Sequence, residues 1–215
     1  YGIQIAFKNY RNSRGIWGSS WVGLKHFQSL FSYVNFDDIL RNTISISLYS
    51  IAVFPCAVIF ALMLNEVRNL RFKRGVQMIS YAPHFISTVV VVSMLQIFMQ
   101  RSNGLINNVI AMLGGERIDF LSIPQYFSTI FVWSGVWQNL GWNAIVYIAA
   151  LAGVSAELLE AARIDGANRL QIIWHVNLPH IFPTIVALLI ISTGSVLSVG
   201  FEKIYLMQNS LNLDA

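Results

Sequence analysis

Long apolar runs separated by short polar segments make up most of this chain. Four of the runs are long enough to cross a bilayer as a helix, which takes about 20 residues. They lie at 43–64, 76–99, 127–152 and 182–207. They carry no charged residue except Glu202 and Lys203, near the end of the fourth run. Contact with substrate or with a partner near the outer surface is one role for these two residues, but we expect an interfacial pair. Helices buried in a soluble protein are the alternative, but four such runs in 215 residues favour an all-α membrane protein.

Proline interrupts the first two runs, at Pro55 and at Pro83. A proline removes one backbone hydrogen bond and clashes with the preceding helical turn, so we expect a kink at each position. Membrane helices tolerate such kinks where neighbouring groups satisfy the freed carbonyls.

The composition supports the membrane interpretation. Hydrophobic residues make up 55% of the chain and charged residues only 11%, against about 25% charged residues in soluble domains. The net charge is +4, but the 14 Lys and Arg residues are spread along the chain. They form no basic face and accompany no nucleic-acid motif, which excludes nucleic acid as a partner. A modest basic excess in a membrane protein serves topology and contacts with anionic lipid.

The basic residues also predict a topology. The loop 65–75 holds Arg68, Arg71, Lys73 and Arg74 against one acidic residue, and the positive-inside rule places such a short loop in the cytoplasm. The N-terminal basic residues argue the other way, but the rule applies best to short, dense loops. We therefore expect an external segment at 1–42, a transmembrane domain at 43–207 with a cytoplasmic loop at 153–181, and an external segment at 208–215.

The predicted cytoplasmic loop has the pattern of two amphipathic helices joined by a turn. Ser155 is an N-cap candidate for the first helix, and Gly166 interrupts the apolar pattern as a residue with positive φ does at a helix end. A second helical stretch follows, and Pro179 is expected to end it before the fourth span. The loop is therefore predicted to be a helix–turn–helix bracket between two spans.

A spaced motif in this bracket resembles the signature of the inner-membrane permeases of binding-protein-dependent ABC (ATP-binding-cassette) importers. It reads Glu160-Ala161-Ala162, then Gly166, Val176 and Leu178-Pro179. The resemblance implies that the bracket contains coupling helices, which dock on an ATP-binding subunit and transmit its closure to the spans. The docking residues that it implies are Glu157, Glu160, Ala161, Ala162, Asp165 and Gly166.

Further strings resemble the polysaccharide and oligosaccharide branch of that family, similar to alginate-importer permeases. They include Tyr1-Gly-Ile-Gln-Ile-Ala-Phe-Lys8 and Ser80-Tyr-Ala-Pro-His-Phe-Ile-Ser87. The resemblance implies the transmembrane domain of a type I ABC importer in a bacterial inner membrane. Six spans are usual there, so we expect one missing span before and one after the four visible ones. The implied partners are a second, similar permease in a heterodimer, two ATP-binding subunits, an external solute-binding protein, a saccharide and membrane lipid.

Polar and aromatic residues inside the spans are the candidates for a saccharide pathway, because polar groups within a membrane are costly and usually face a cavity. Hydrogen bonding between helices is the alternative role for each of them. The predicted pathway residues are Trp137, Gln138, Asn139, Trp142, Asn143, Tyr147 and Gln96.

Enzyme motifs and metal-ligand patterns are absent from the sequence. No glycine is followed by Lys-Ser or Lys-Thr, so there is no P-loop. We expect no cofactor on this chain, and the resemblance places ATP and magnesium on the partner subunits. The alternatives are a permease for another small solute, an ion-coupled secondary transporter, and a scaffold or sensor subunit. An ion-coupled transporter needs an intramembrane ion site, and no carboxylate occurs in the spans before Glu202.

Overall fold

The computed structural model describes residues 2–209 and residue 212. Two compact units divide the chain, Tyr1–Thr43 and Ile44–Ala215. We describe each unit by itself.

The first unit is built of short elements around aromatic side chains. Strands β1 and β2 pair antiparallel, with Lys8 opposite Trp21. The Phe7 ring lies 5.6 Å from that of Trp21 and 5.3 Å from that of Phe27, which holds the strand pair against helix α2. Its elements are a 3-10 helix Gly2–Phe7, β1 Lys8–Asn9, a 3-10 turn Asn12–Arg14, α1 Gly15–Gly18, β2 Ser20–Trp21 and α2 Lys25–Phe31.

The first long helix covers Phe36–Asn65, 30 residues, and is apolar enough to span a membrane. It consists of α3, Phe36–Ala52, which crosses the boundary between the units, and α4, Pro55–Asn65. The two parts are separated by residues 53–54, directly before Pro55, where a kink is predicted. Because Pro55 takes the first position of α4, its missing N–H is one that a helix start leaves unpaired anyway.

The second predicted span, 76–99, is wrong as a single helix. Helix α5 covers Leu70–Tyr81, a 3-10 turn covers Ala82–Phe85, and α6 covers Thr88–Met99. The two parts are bent by 102°. Pro83 lies in the turn, and Ser87 caps the new helix by accepting a hydrogen bond from the Val90 N–H at 3.4 Å. The chain therefore stops one helix and begins another.

The third predicted span, 127–152, is confirmed as a helix. Helix α8 covers Pro124–Leu151, 28 residues without a break. Helix α7, Leu105–Met112, and a 3-10 turn, Phe120–Ser122, precede it. The loop around α7 is fixed by the fully buried Asn107. Its amide donates to the carbonyls of Met99, Gln100 and Ile118, and its oxygen accepts from the Ile118 N–H at 2.8 Å.

The fourth predicted span, 182–207, differs from the structure at both ends. The span-length helix is Arg169–Gly194, and a separate helix follows it. Pro179 does not end the helix as predicted, because a π turn precedes it and absorbs the irregularity that its ring imposes. The elements are α9 Ala156–Ile164, α10 Arg169–Ile172, the π turn Ile173–Asn177, α11 Leu178–Gly194 and α12 Phe201–Met207.

Small residues let the helices of the second unit approach closely. Ala61 and Ala144 are fully buried where α4 packs on α8, as is typical of helix contacts in membranes. A side chain at Gly141 would overlap the Ser80 carbonyl, so α5 and α8 meet at backbone distance. Large apolar side chains such as Phe182 and Ile190, 59% and 64% exposed, lie on the surface of this unit. Over the described residues, two helices are of membrane-spanning length and composition, or four if each bent pair is one span.

Candidate functional sites: a protruding turn and a central cavity

The Glu-Ala-Ala motif lies on α9, which is bent by 79° away from α8. Glu157, Glu160 and Ala161 are exposed, and Ala162 is half-buried. The predicted N-cap Ser155 lies just before the helix, although its side chain makes no capping hydrogen bond. We call residues 156–168, α9 and the residues that follow it, the protruding turn.

Glycine determines how α9 ends. Gly166 has φ +80°, the left-handed conformation, as predicted. The Gly166 N–H donates to the Arg163 carbonyl at 3.1 Å, and the Ala167 N–H donates to the Ala162 carbonyl at 2.9 Å. These two hydrogen bonds form a Schellman motif, which satisfies the last carbonyls of the helix. The motif therefore closes the turn through backbone bonds alone.

A capping box begins the next helix. The Asn168 side chain accepts from the Gln171 N–H at 3.0 Å, and the Gln171 side chain accepts from the Asn168 N–H at 2.7 Å. This box satisfies two N–H groups that would otherwise be unpaired. The predicted second arm of the bracket is therefore the first part of the long helix Arg169–Gly194, and the protruding turn is shorter than the predicted loop 153–181.

A small recess and exposed apolar side chains surround the turn. The recess, about 270 Å³, is lined by Ala162, Asp165 and Gly166 together with the first turns of the long helix. Beside it, Ile164, Leu170 and Trp174 are 86%, 68% and 64% exposed. The turn thus places exposed acidic groups beside exposed apolar side chains.

A central cavity of about 600 Å³ lies within the second unit. Residues of α3, α4, α8, α11 and α12 line it. On α8, Gln138, Asn139, Trp142, Asn143 and Tyr147 all line this cavity, so the structure brings together most of the predicted pathway residues.

The polar side chains of α8 are oriented by the turn between α5 and α6. His84 Nδ1 lies 2.9 Å from Asn139 Oδ1, and the His84 ring stacks on Trp142 at 4.3 Å. The Gln138 amide donates to the Ile86 carbonyl at 2.8 Å. The Asn143 amide has no partner among the described residues. The cavity therefore presents both fixed and unoccupied hydrogen-bonding groups.

Comparison with known proteins identifies the family. A family model described as binding-protein-dependent transport system inner membrane component matches residues 53–199, which include the protruding turn and much of the cavity lining. The chain belongs to this family.

Individual relatives agree with this assignment. The polygalacturonan/rhamnogalacturonan transport system permease protein YteP of Bacillus subtilis (strain 168) is 44% identical over 213 residues, covering 99% of this chain and 66% of YteP. Protein LplB of the same strain is 45% identical, with coverages of 99% and 67%. This permease chain thus spans about two thirds of the length of these relatives.

Solved structures also resemble this permease. A chain in the crystal structure of a bacterial ABC transporter involved in the import of the acidic polysaccharide alginate is 38% identical and superposes with a TM-score of 0.90. The match covers 99% of this permease and 71% of that chain. A second crystal structure, of the alginate transporter with a periplasmic protein bound to an alginate pentasaccharide, has a TM-score of 0.89. The predicted fold class, a helical importer permease domain, is therefore confirmed, as is the prediction that the chain is a transport subunit and not an enzyme.

Two predicted pathway residues lie elsewhere in the permease. Trp137 is 48% exposed and is not in the cavity lining. Gln96 lines a second cavity, of about 610 Å³, together with Arg101, Arg117 and Asn209. Tyr147 does line the central cavity but is almost completely buried, packed edge-on against Phe54 at 6.4 Å. Its main contribution is to packing.

Several cavity residues of the permease were not predicted. They share a hydroxyl or an ammonium group, and they are Ser47, Ser50, Ser192, Ser195, Ser198 and Lys203. Ser47 and Ser50, three residues apart, lie on one side of α3, whereas Ser195 and Ser198 follow the end of α11 at Gly194, so helical spacing could have predicted only the first pair. Lys203 was expected as half of an interfacial pair with Glu202. It instead faces the cavity. Among the described residues, no group of His, Cys, Asp and Glu side chains is suited to hold a metal ion.

Proposed function

We propose that this permease forms one half of the membrane pathway of an ATP-driven importer for oligo- or polysaccharides. The family assignment supports a transport role. The names of the relatives and of the solved structures, which concern pectin-type polysaccharides and alginate, support a saccharide cargo. An external binding protein delivers the saccharide, as the solved alginate complex suggests for a chain of this fold.

The protruding turn is the observation that carries this proposal. It presents Glu157, Glu160 and Asp165 beside exposed apolar side chains, which suits a groove of complementary charge on an ATP-binding subunit. ATP and magnesium bind on two such partner subunits. A second, similar permease completes the pathway in a heterodimer, within the inner membrane of a bacterial cell.

The protruding turn can act as a lever because it is connected through the backbone to two long helices. It follows directly on α8 and leads directly into the helix Arg169–Gly194. These two helices also supply cavity residues, among them Asn143 and Ser192. Movement of the turn as the ATP-binding subunits close is therefore passed to both helices as rigid bodies, which opens the cavity to one side of the membrane or the other.

The chemistry of the central cavity matches a saccharide. Amides and hydroxyls exchange hydrogen bonds with sugar hydroxyls, and an aromatic face such as that of Trp142 packs on the apolar face of a sugar ring. An ion-coupled mechanism finds less support, because no carboxylate occurs among the described residues that line the cavity.

Charge reversal in the protruding turn tests the proposal. We expect Glu160→Lys in the full-length permease to reduce co-purification of the ATP-binding subunit by at least about tenfold, because losing one partner of a docked charge pair costs about 2–5 kcal/mol. Glu116→Lys, the same reversal at an exposed position outside the turn, serves as the control and should leave the complex intact.

The outcome separates docking from transport. Full retention of the ATP-binding subunit by Glu160→Lys would refute the docking role of the turn. If the wild-type complex assembles but its ATPase activity does not respond to the saccharide-loaded binding protein, saccharide transport is refuted instead.

A further inference from the structure

Lys203 is the one charged residue among the described residues that line the central cavity. Its ammonium donates a hydrogen bond to the Phe131 carbonyl at 2.8 Å and lies 4.6 Å from the centre of the Phe131 ring. An ammonium has three donors, so this carbonyl leaves donors available to the cavity. No carboxylate of the described chain forms an ion pair with it.

A half-buried cation without a counterion is energetically unfavourable, and such residues inside membrane proteins usually serve a function. Phe131 orients Lys203 through a carbonyl and a ring face, neither of which neutralises its charge. The positive charge of Lys203 is therefore available to pair with an anionic group of a ligand that enters the cavity.

We propose that Lys203 binds the carboxylate of an acidic sugar and makes the cavity selective for uronate oligosaccharides. This inference rests on the proposed function and adds the residue that recognises the negative charge of the cargo. The neighbouring groups fit the rest of such a ligand, because Asn143 has an unoccupied amide and Ser192 and Ser195 line the same cavity.

The cavity suits a carboxylate better than a phosphate. Phosphate sites commonly use the bidentate fork of arginine or a row of backbone N–H groups. No arginine occurs among the described lining residues, and the single ammonium matches the charge of one uronate residue within the oligosaccharide. The same ammonium gains nothing from a neutral sugar that it would not also gain from water.

Paired variants of the complete importer, reconstituted in lipid vesicles with its binding protein, test the inference. The probes are trigalacturonate, trimannuronate and the neutral maltotriose. We expect Lys203→Gln to reduce uptake of a uronate trisaccharide by at least about tenfold, the loss associated with one hydrogen bond to a charged group. Glutamine can still donate to the Phe131 carbonyl, so the variant removes the charge and keeps that contact.

Two controls keep the result interpretable. Lys203→Arg retains the charge and should keep most of the uronate uptake, whereas a role in packing alone would predict similar behaviour from both variants. Lys25→Gln removes the same charge from an exposed position and should behave as wild type. Basal ATPase activity reports the integrity of each complex.

Each result bears on the inference. Equal uronate uptake by Lys203→Gln and Lys203→Arg would overturn it. Wild-type uptake of maltotriose but of neither uronate would also overturn it while leaving the proposed function standing. Uptake of none of the three saccharides would overturn both.

Discussion

Gly166 acts through its backbone conformation. Its φ of +80° is rarely adopted by residues with side chains, yet no atom lies within 4 Å of the place where a Cβ would be. A substitution at Gly166 therefore strains the backbone but causes no steric clash. Because both bonds of the Schellman motif depend on this conformation, the direction in which the chain leaves α9 depends on it as well.

We predict that Gly166→Val weakens assembly with the ATP-binding subunit. The left-handed conformation costs a residue with a side chain about 1–2 kcal/mol, and a branched side chain tolerates it worst. Titration of the ATP-binding subunit onto the purified permease should show a reduced affinity. Gly166→Asn should have a smaller effect, since asparagine tolerates this conformation.

A glycine in an ordinary helix provides the matched control. Gly75 lies in α5 without a positive φ, and a Cβ added there would meet no atom within 4 Å. Gly75→Ala should leave the affinity unchanged. Equal affinities for wild type, Gly166→Asn and Gly166→Val would contradict the role assigned to the turn.

Single residues were predictable from the sequence where local chemistry decides their role. Gly166 follows a helical pattern, and a glycine there is sufficient to predict the turn. Lys203 shows what the sequence alone does not predict, namely the surroundings of a side chain. Its charge is visible in the sequence, but the side of α12 that faces the cavity depends on how this helix packs in the fold. Phe131 of α8 supplies both of the described contacts of Lys203.

At the scale of helices, the sequence predicted α8 well and the second and fourth spans poorly. Hydropathy gives the length of an apolar run but does not show whether the backbone continues through it as one helix. The run 76–99 contains no residue with a formal charge, yet Ser87 caps a new helix in its middle. The run 182–207 continues past Gly194, where the long helix ends. Both differences concern where single helices begin and end, to which an average over about 20 residues is insensitive.

We predict that the contact between α5 and α8 depends on Gly141. In Gly141→Ala the new methyl group would lie 2.7 Å from Ser80 Oγ and even closer to the Ser80 carbonyl. Overpacking of this kind typically costs about 1–3 kcal/mol, so the purified permease should unfold at a lower temperature than wild type.

Gly135, on the same helix, is the matched control for this prediction. A methyl group there would lie 3.5 Å from the flexible end of Lys203, an ordinary contact, and Gly135→Ala should change the unfolding temperature little. If Gly141→Ala were as stable as Gly135→Ala, the close approach of α5 and α8 would not be needed for the fold.

At the scale of the whole molecule, the same two helices connect the cavity and the protruding turn. Helix α8 and the helix Arg169–Gly194 carry cavity residues in their membrane portions and meet at the turn. Under the proposed function, movement of the turn therefore also changes the access to the cavity. Cys56, the single cysteine in the sequence, lines the cavity and is half-buried, which makes it a natural reporter of that access.

We predict that a charged, water-soluble thiol reagent modifies Cys56 at a rate that changes several-fold between the nucleotide-free and the ATP-trapped importer. The thiol lies in a water-accessible cavity in one state, and closing that side excludes the reagent. Cys56→Ala gives the background labelling. Leu113→Cys in that background, at a position 84% exposed, should be modified equally in both states. If Cys56 were modified as uniformly as the cysteine introduced at Leu113, the cavity would not be the gated part of the pathway.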